Sequence, residues 1–370
     1  MIFLLELTLI IVILTIIGMR TPSLVTTIDN RKKLMPNKII VIIIIILLTF
    51  FAAIRSNVGD TGMYMHGFKI YQIGLENPLT FNNLFAFIFD GLLKNIWNDP
   101  QIMIITTSII IYPCIIWRLY KSSINPIMSV VLFIFSVSYV SSMNGIRQYL
   151  VSAILFFLYP WIIKQVSNKK YLWILLILFL ALFHSSVLIT IPIFFMSDRD
   201  PFSKGNFLMY FLIITGILAF NFIMPSLFNV MESVGLKYSE YANASYGTLS
   251  TNPFRIFFYC VPILLFFYLR NNKKIKNKEL YFIENMTIFN GIFMMLSYYG
   301  AVYARFCIYF EFYPMLVYPI IIKYVFNARS QVYAKFILYI VYFLYMYYQI
   351  QIAWGGFILK SSWLGLTFGG

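Results

Sequence analysis

An all-α polytopic membrane protein is the fold class this sequence predicts, and three observations predict it. Of the 370 residues, 61% are hydrophobic and only 11% are charged, roughly half the charge of an ordinary soluble domain, and the mean hydropathy is +0.82. The apolar residues run in continuous stretches close to the ~20 residues a helix needs to cross a bilayer. A helix is the default span because it satisfies its own backbone hydrogen bonds in lipid. The alternating ~10-residue strands of a transmembrane barrel are missing. Cys114, Cys260 and Cys307 lie inside apolar runs without metal-type spacing and read as small core hydrophobes.

The spans are expected near 2–18, 38–54, 101–117, 126–141, 146–163, 207–229, 253–269, 281–299, 306–322 and 336–353. That makes about ten transmembrane helices in a single domain over 1–370. The first run is too long, and too closely joined to further membrane sequence, to be a cleaved leader. One more stretch, 171–196, is interrupted by Phe183-His184-Ser185-Ser186 and by Pro192, so a re-entrant or broken helix is expected there.

Lys and Arg set the orientation. Basic turns hold Arg20, Arg31, Lys32, Lys33 and Lys38; Arg118 and Lys121; Lys164, Lys169 and Lys170; Arg270 to Lys278; and Lys323, Arg329 and Lys335. With 19–38 in the cytoplasm and 171–196 entering and returning, Arg199 and Lys204 join them. Then 20 of the 28 basic residues are cytoplasmic. A full span at 171–196 would instead need a different pairing elsewhere. The charge is therefore spread over turns, which argues against a nucleic-acid surface.

The outer side receives the loops 55–100 and 230–252, the turns near 141–147 and 298–305, the His184 tip and the C-terminus. In the first loop Leu84, Phe85, Ile88, Phe89, Leu92, Leu93, Ile96 and Trp97 recur at helical spacing with Asn82, Asn83, Asp90 and Lys94 between them. That pattern predicts a helix in the interface plane, either packed over the bundle or touching a lipid substrate. The tyrosines at 339, 342, 345, 347 and 348 read as interface belt and helix packing, with a sugar-stacking platform as the alternative.

Eight basic residues fall outside the cytoplasmic set, and four of them, Arg55, Arg147, Arg255 and Arg305, stand at helix ends. The planar guanidinium fork suits phosphate oxygens, so several forks at one face would receive a lipid-linked phosphate or pyrophosphate. Headgroup snorkelling, or an Arg305–Glu311 ion pair, is the plainer account. Headgroup contact suffices for Arg255 beside Pro253. Asp60 sits between Gly59 and Gly62, Glu311 lies inside an apolar run, and His184 marks a break. An ionisable group inside the membrane is a functional candidate by default, while a lone His is often a packing residue. His66 ranks lower. No Walker loop, G-x-S-x-G or H-E-x-x-H occurs, and no metal or cofactor is implied.

Three segments together resemble a known family. F-A-A-I-R-S-N-V-G-D-T-G-M-Y is similar to an early external-loop motif of the EpsG-like branch of Wzy-type polysaccharide polymerases. M-N-G-I-R-Q-Y-L-V-S-A-I resembles the arginine-glutamine helix start of that family, and L-F-L-A-L-F-H-S-S-V-L-I-T-I-P its leucine-rich A-x-x-x-H-x-S segment. A-R-F-C-I-Y-F is a weaker fourth match.

The resemblance, over roughly 40–325, implies a GT-C-like membrane glycosyltransferase in the bacterial inner membrane, with its site facing the periplasm. It would join undecaprenyl-pyrophosphate-linked oligosaccharide repeat units without a metal, working beside a flippase and a chain-length regulator. Asp60, His184 and Glu311 are then the candidate catalytic residues. Arg55, Tyr64, Arg147, Gln148 and Arg305 are the candidates for the pyrophosphate and sugar. A flippase or transporter of the same lipid-linked sugars, and an O-antigen ligase, are the alternatives.

Overall fold

The structure is a computed structural model and describes residues 1–28, 31–74, 77–233, 251–269, 277–300 and 302–369. Most of the second external loop and the basic turn at 270–276 lie outside the described residues.

Helices dominate the described residues, and several of them begin at an asparagine whose side chain caps the first turn. Asn37, Asn125, Asn277 and Asn327 accept from the N–H groups of Ile39, Met128, Leu280 and Ser330, satisfying donors that a helix start otherwise orphans. They open the helices Lys38–Ala53, Pro126–Phe135, Lys278–Leu296 and Ala328–Tyr347. Helix Gln101–Ser122 packs between Lys38–Ala53 and Ile146–Ser167.

The basic turns gather at one end of the bundle. The antiparallel hairpin of Ser23–Thr26 with Lys32–Met35 lies beside the end of Gln101–Ser122, where Ile28 N–H donates to Ser122 O. Asn277 Nδ2 donates to Ile28 O at 2.8 Å, which adds the start of Lys278–Leu296. Lys278 pairs with Asp198 at 3.4 Å, and Ser167 Oγ donates to the same carboxylate at 3.1 Å.

That last contact decides the path of 171–196. Its flanks meet at Ser167 and Asp198, and Trp173 stacks near Phe194 and Phe195. Helix Leu172–Ala181 rises, the chain turns at His184, and Ser185–Ile189 with Thr190–Phe194 brings it back. Ten residues rise only ~15 Å as a helix, half a hydrocarbon core. The segment is thus a hairpin with His184 at its tip, at the end away from the basic turns.

Among the described residues, three helices are long and apolar enough to cross a membrane: Gln101–Ser122, Ile146–Ser167 and Ala328–Ala353. Val302–Tyr309 with Pro314–Val325 makes a fourth if the pair, bent by 64°, is one span. Among the described residues, shorter apolar helices of 10–17 residues include Ile2–Gly18, Lys38–Ala53 and Pro126–Phe135.

Several expected spans are interrupted. The run 126–141 stops at Phe135, because buried Val137 adopts a left-handed conformation (φ 67°) before Ser138–Ser141. The run 306–322 breaks between Tyr309 and Pro314, whose ring cannot continue a helix. The interface helix forms over 83–96, but Ala86–Leu92 is a π-helix. Its wider turn rotates Asp90, expected on the polar face, into the interior, where it is buried beside Phe89.

Asn285 ties the basic end together. It accepts from Asn206 Nδ2 and the Tyr210 hydroxyl and donates to the carbonyls of Ser197, Arg199 and Tyr281. Replacing it with alanine strands buried groups at about 1–3 kcal/mol each. Asn285→Ala should lower unfolding free energy by roughly 3 kcal/mol, read as the thermal midpoint in detergent. An unchanged midpoint would refute this role.

Candidate functional site

At the end away from the basic turns, a cavity of about 940 Å³ opens. Its walls come from segments far apart in sequence, and a few side chains explain how they meet.

The first wall follows the Lys38–Ala53 helix. Arg55 is fully buried and donates to Thr61 Oγ1, the Ala52 carbonyl and Ser108 Oγ of the neighbouring helix, with its Nη2 buried without a partner among the described residues. Gln101 Nε2 adds a bond to Ala53 O. The chain then turns at Gly59, whose φ of +52° is left-handed and whose missing Cβ would stand 2.6 Å from the Asn144 side chain. Only glycine suits both conditions. The Asn144 carboxamide oxygen accepts from Asp60 N–H at 2.9 Å and from Gly145 N–H at 3.0 Å. Asp60 opens helix Thr61–Ile70 without using its side chain as a cap, so its carboxylate stays available to the cavity it lines.

The second wall is the start of Ile146–Ser167, for which Gly145 (φ +57°) is the cap residue. Arg147 lies over the Tyr64 ring at 5.9 Å, its Nη1 donates to Asn82 O, and its buried Nε has no partner. Asn82 also binds the His184 turn, where its carboxamide exchanges bonds with Ser185 N–H at 2.7 Å and Ser185 Oγ at 3.1 Å. His184 therefore lines the cavity with Arg147 and Arg305 as charged neighbours, and its buried Nδ1 has no partner.

The third wall is the broken segment 302–313. Gln148 Nε2 donates to Arg305 O at 2.6 Å, Ser152 Oγ to Ile308 O at 2.5 Å, and Ser186 shares a hydrogen bond with the Tyr309 hydroxyl at 2.7 Å. Arg305 is exposed at the cavity. Glu311 is buried, one carboxylate oxygen lacks a partner, and the groups acting on it are Tyr149 and Arg255. The Arg305–Glu311 pair expected from sequence does not form; the helix break puts Arg255 beside the carboxylate instead. Arg255 lies over Tyr259 at 5.7 Å, with its buried Nε unpartnered.

The last wall is Trp354–Ile358. It leads into the hairpin of Leu359–Ser361 with Leu366–Phe368, which is laced to Ser56 and Asn57.

Of the residues singled out by sequence, Asp60, Tyr64, Arg147, Gln148, His184, Arg305 and Glu311 line this one cavity. Arg55 does not, being buried behind it, and His66 lies exposed outside it. The terminal tyrosines mostly pack: Tyr342 donates to the Tyr318 hydroxyl, and Tyr345 stacks on Phe258 at 4.4 Å. Sequence reasoning set Arg255 aside although it stood in the same set of outer arginines. It also missed Trp354 and the buried Asp90, which no local pattern marks.

Fold and site together define a helical membrane protein that collects arginines and carboxyl groups around a cavity at one end of its bundle. Residues 38–358 match the EpsG family, and the chain belongs to that family. Membership suggests a polysaccharide-polymerase-like function in the membrane. No curated protein and no solved structure matches the chain.

Two outcomes test the geometry. Gly59→Ala meets both a positive φ and Asn144, so a loss of about 1–3 kcal/mol in stability is expected; a variant as stable as the parent would show that the turn is not held there. Asp90 is pushed up to about 7 by burial, against the pull of Arg147 and Lys94. The unfolded chain ionises this group near 3.8, so the folded state loses stability as pH rises from about 4 to about 7 and not beyond. Asp90→Asn should flatten that part of the thermal midpoint–pH curve. An unchanged slope would assign it to other groups.

Proposed function

We propose that this chain is a membrane glycosyltransferase that polymerises undecaprenyl-pyrophosphate-linked oligosaccharide repeat units. It would be GT-C-like, with about ten spans, in the bacterial inner membrane and with the cavity open to the periplasm. The observation that carries the reading is the convergence of Arg147, Arg255 and Arg305 with Asp60, His184 and Glu311 on one cavity.

The chemistry needs two things of such a cavity. The bond from the anomeric carbon to the pyrophosphate oxygen breaks, and negative charge develops on phosphate oxygens that stay attached to the lipid. Guanidinium groups held in place beforehand stabilise that charge, at a cost of roughly 10²–10³ in rate for each donor removed. The bond from the same carbon to an acceptor hydroxyl forms, and that hydroxyl needs a base within hydrogen-bond reach. Asp60 takes the proton in this reading. Arg147 and Arg305 hold the pyrophosphate, and Arg255 orients Glu311 below them. Direct displacement inverts the anomeric centre. A flippase delivers the units, and a chain-length regulator sets where growth stops.

The test is polymer length in cells and in membranes. Arg147→Ala and Arg305→Ala should each cut chain growth by about a hundredfold or more while the protein still inserts and keeps its thermal midpoint. A normal ladder of chain lengths from both would sink the arginine assignment. In sealed vesicles carrying labelled lipid-linked units, bond formation is expected. Movement of the label across the membrane with no bond formed would identify a transporter instead.

A further inference from the structure

Trp354 is an unusual residue in this cavity. Four of the other five tryptophans meet another ring: Trp97 and Trp363 meet each other, Trp117 meets Tyr120, and Trp173 meets Phe194. The Trp354 indole has no ring or hydrogen-bond partner among the described residues, its backbone N–H alone donating to Gln349 O, and the residue is 43% exposed where it lines the cavity. The next two residues are Gly355 and Gly356, at φ +69° and +117°. A Cβ at Gly355 would meet nothing within 4 Å, so bare backbone and one indole face make up this stretch of wall.

The wall is fixed rather than a loose tail. Ser56 N–H and Oγ both donate to Lys360 O, at 2.8 and 2.9 Å. Asn57 Nδ2 donates to Ile358 O, its oxygen accepts from Lys360 N–H, and Ser362 N–H donates to Ser56 Oγ. These bonds attach the strap to the residues immediately before Gly59 and Asp60. The arginines and His184 are carried by other segments, so the cavity has a cationic side and an uncharged aromatic side.

We propose that Trp354, with the backbone of Gly355 and Gly356, is the seat of the acceptor sugar. This rests on the polymerase reading and deepens it. A pyranose offers one apolar C–H face and a rim of hydroxyls. The indole covers the first, and the bare backbone of Gly355 and Gly356, other than the Gly356 N–H already given to Ile350 O, meets the second. The sugar held there stands beside Asp60, which takes the proton from its attacking hydroxyl, while the donor's pyrophosphate occupies the cationic side.

The experiment uses the full chain in nanodiscs and lipid-linked repeat units extracted from cells lacking this protein. One round of transfer from a lipid-linked chain is followed while the acceptor concentration varies. Trp354→Ala should raise the acceptor KM about tenfold and change kcat by less than about threefold. Trp354→Phe, which keeps an aromatic face, should recover most of that loss. Adding acceptor should also change the intrinsic tryptophan fluorescence of the parent and not of Trp354→Phe. An unchanged KM in Trp354→Ala, or a loss confined to kcat, would overturn the proposal while the parent still transfers. If the parent itself forms no glycosidic bond, it is the polymerase reading that fails.

Discussion

One carboxamide holds the outer end of this molecule in shape. Asn144 accepts from Asp60 N–H and from Gly145 N–H, and it stands where a Cβ on Gly59 would be. The first outer loop therefore cannot shift relative to the start of Ile146–Ser167. Asn82 does the same one layer across, joining the Arg147 guanidinium to the turn at His184 and Ser185. In a chain so poor in polar groups, two asparagines carry most of the register between the cavity walls. A hydrogen bond is stronger where the local dielectric is low, and an unmade one costs more.

The fold class and the gathering of charge at one end were legible in the sequence. Hydropathy marks membrane helices without reference to tertiary structure, and basic turns order them. The same logic placed His184 at the tip of a hairpin, because a full span there would have put a basic turn on the wrong side. The contact of Ser167 with Asp198 bears out the hairpin.

What the sequence could not show was which charges were already spent. Arg55 looks like its three fellow arginines in the primary structure, yet Thr61, Ser108 and a carbonyl take its Nε and Nη1 donors. Glu311 was matched with the arginine six residues before it, as a continuous helix would allow, but the break before Pro314 changed its neighbour to Arg255. Asp90 was read at 100° per residue on a helix that has a π turn. The last two errors follow from assuming regular helix where the backbone is irregular.

Some of those irregularities adjoin the cavity walls, while Lys169 holds a positive φ in a basic turn at the other end. Val137 and Asn82 hold positive φ, and a non-glycine residue there costs of order 1–3 kcal/mol. Arg147 Nε, Arg255 Nε, His184 Nδ1 and a Glu311 oxygen are buried without partners, a further ~1–3 kcal/mol each for ordinary polar groups. At the basic end capping asparagines and Asn285 answer local donors, although Asn206 Oδ1 and Gln165 Oε1 are buried there without partners among the described residues. A helical bundle does not need unsatisfied cationic groups at one end to be stable; an apolar or fully paired end would be more stable. Keeping arginine donors free at a cavity surface is useful where an anion must be bound and its charge stabilised as it forms.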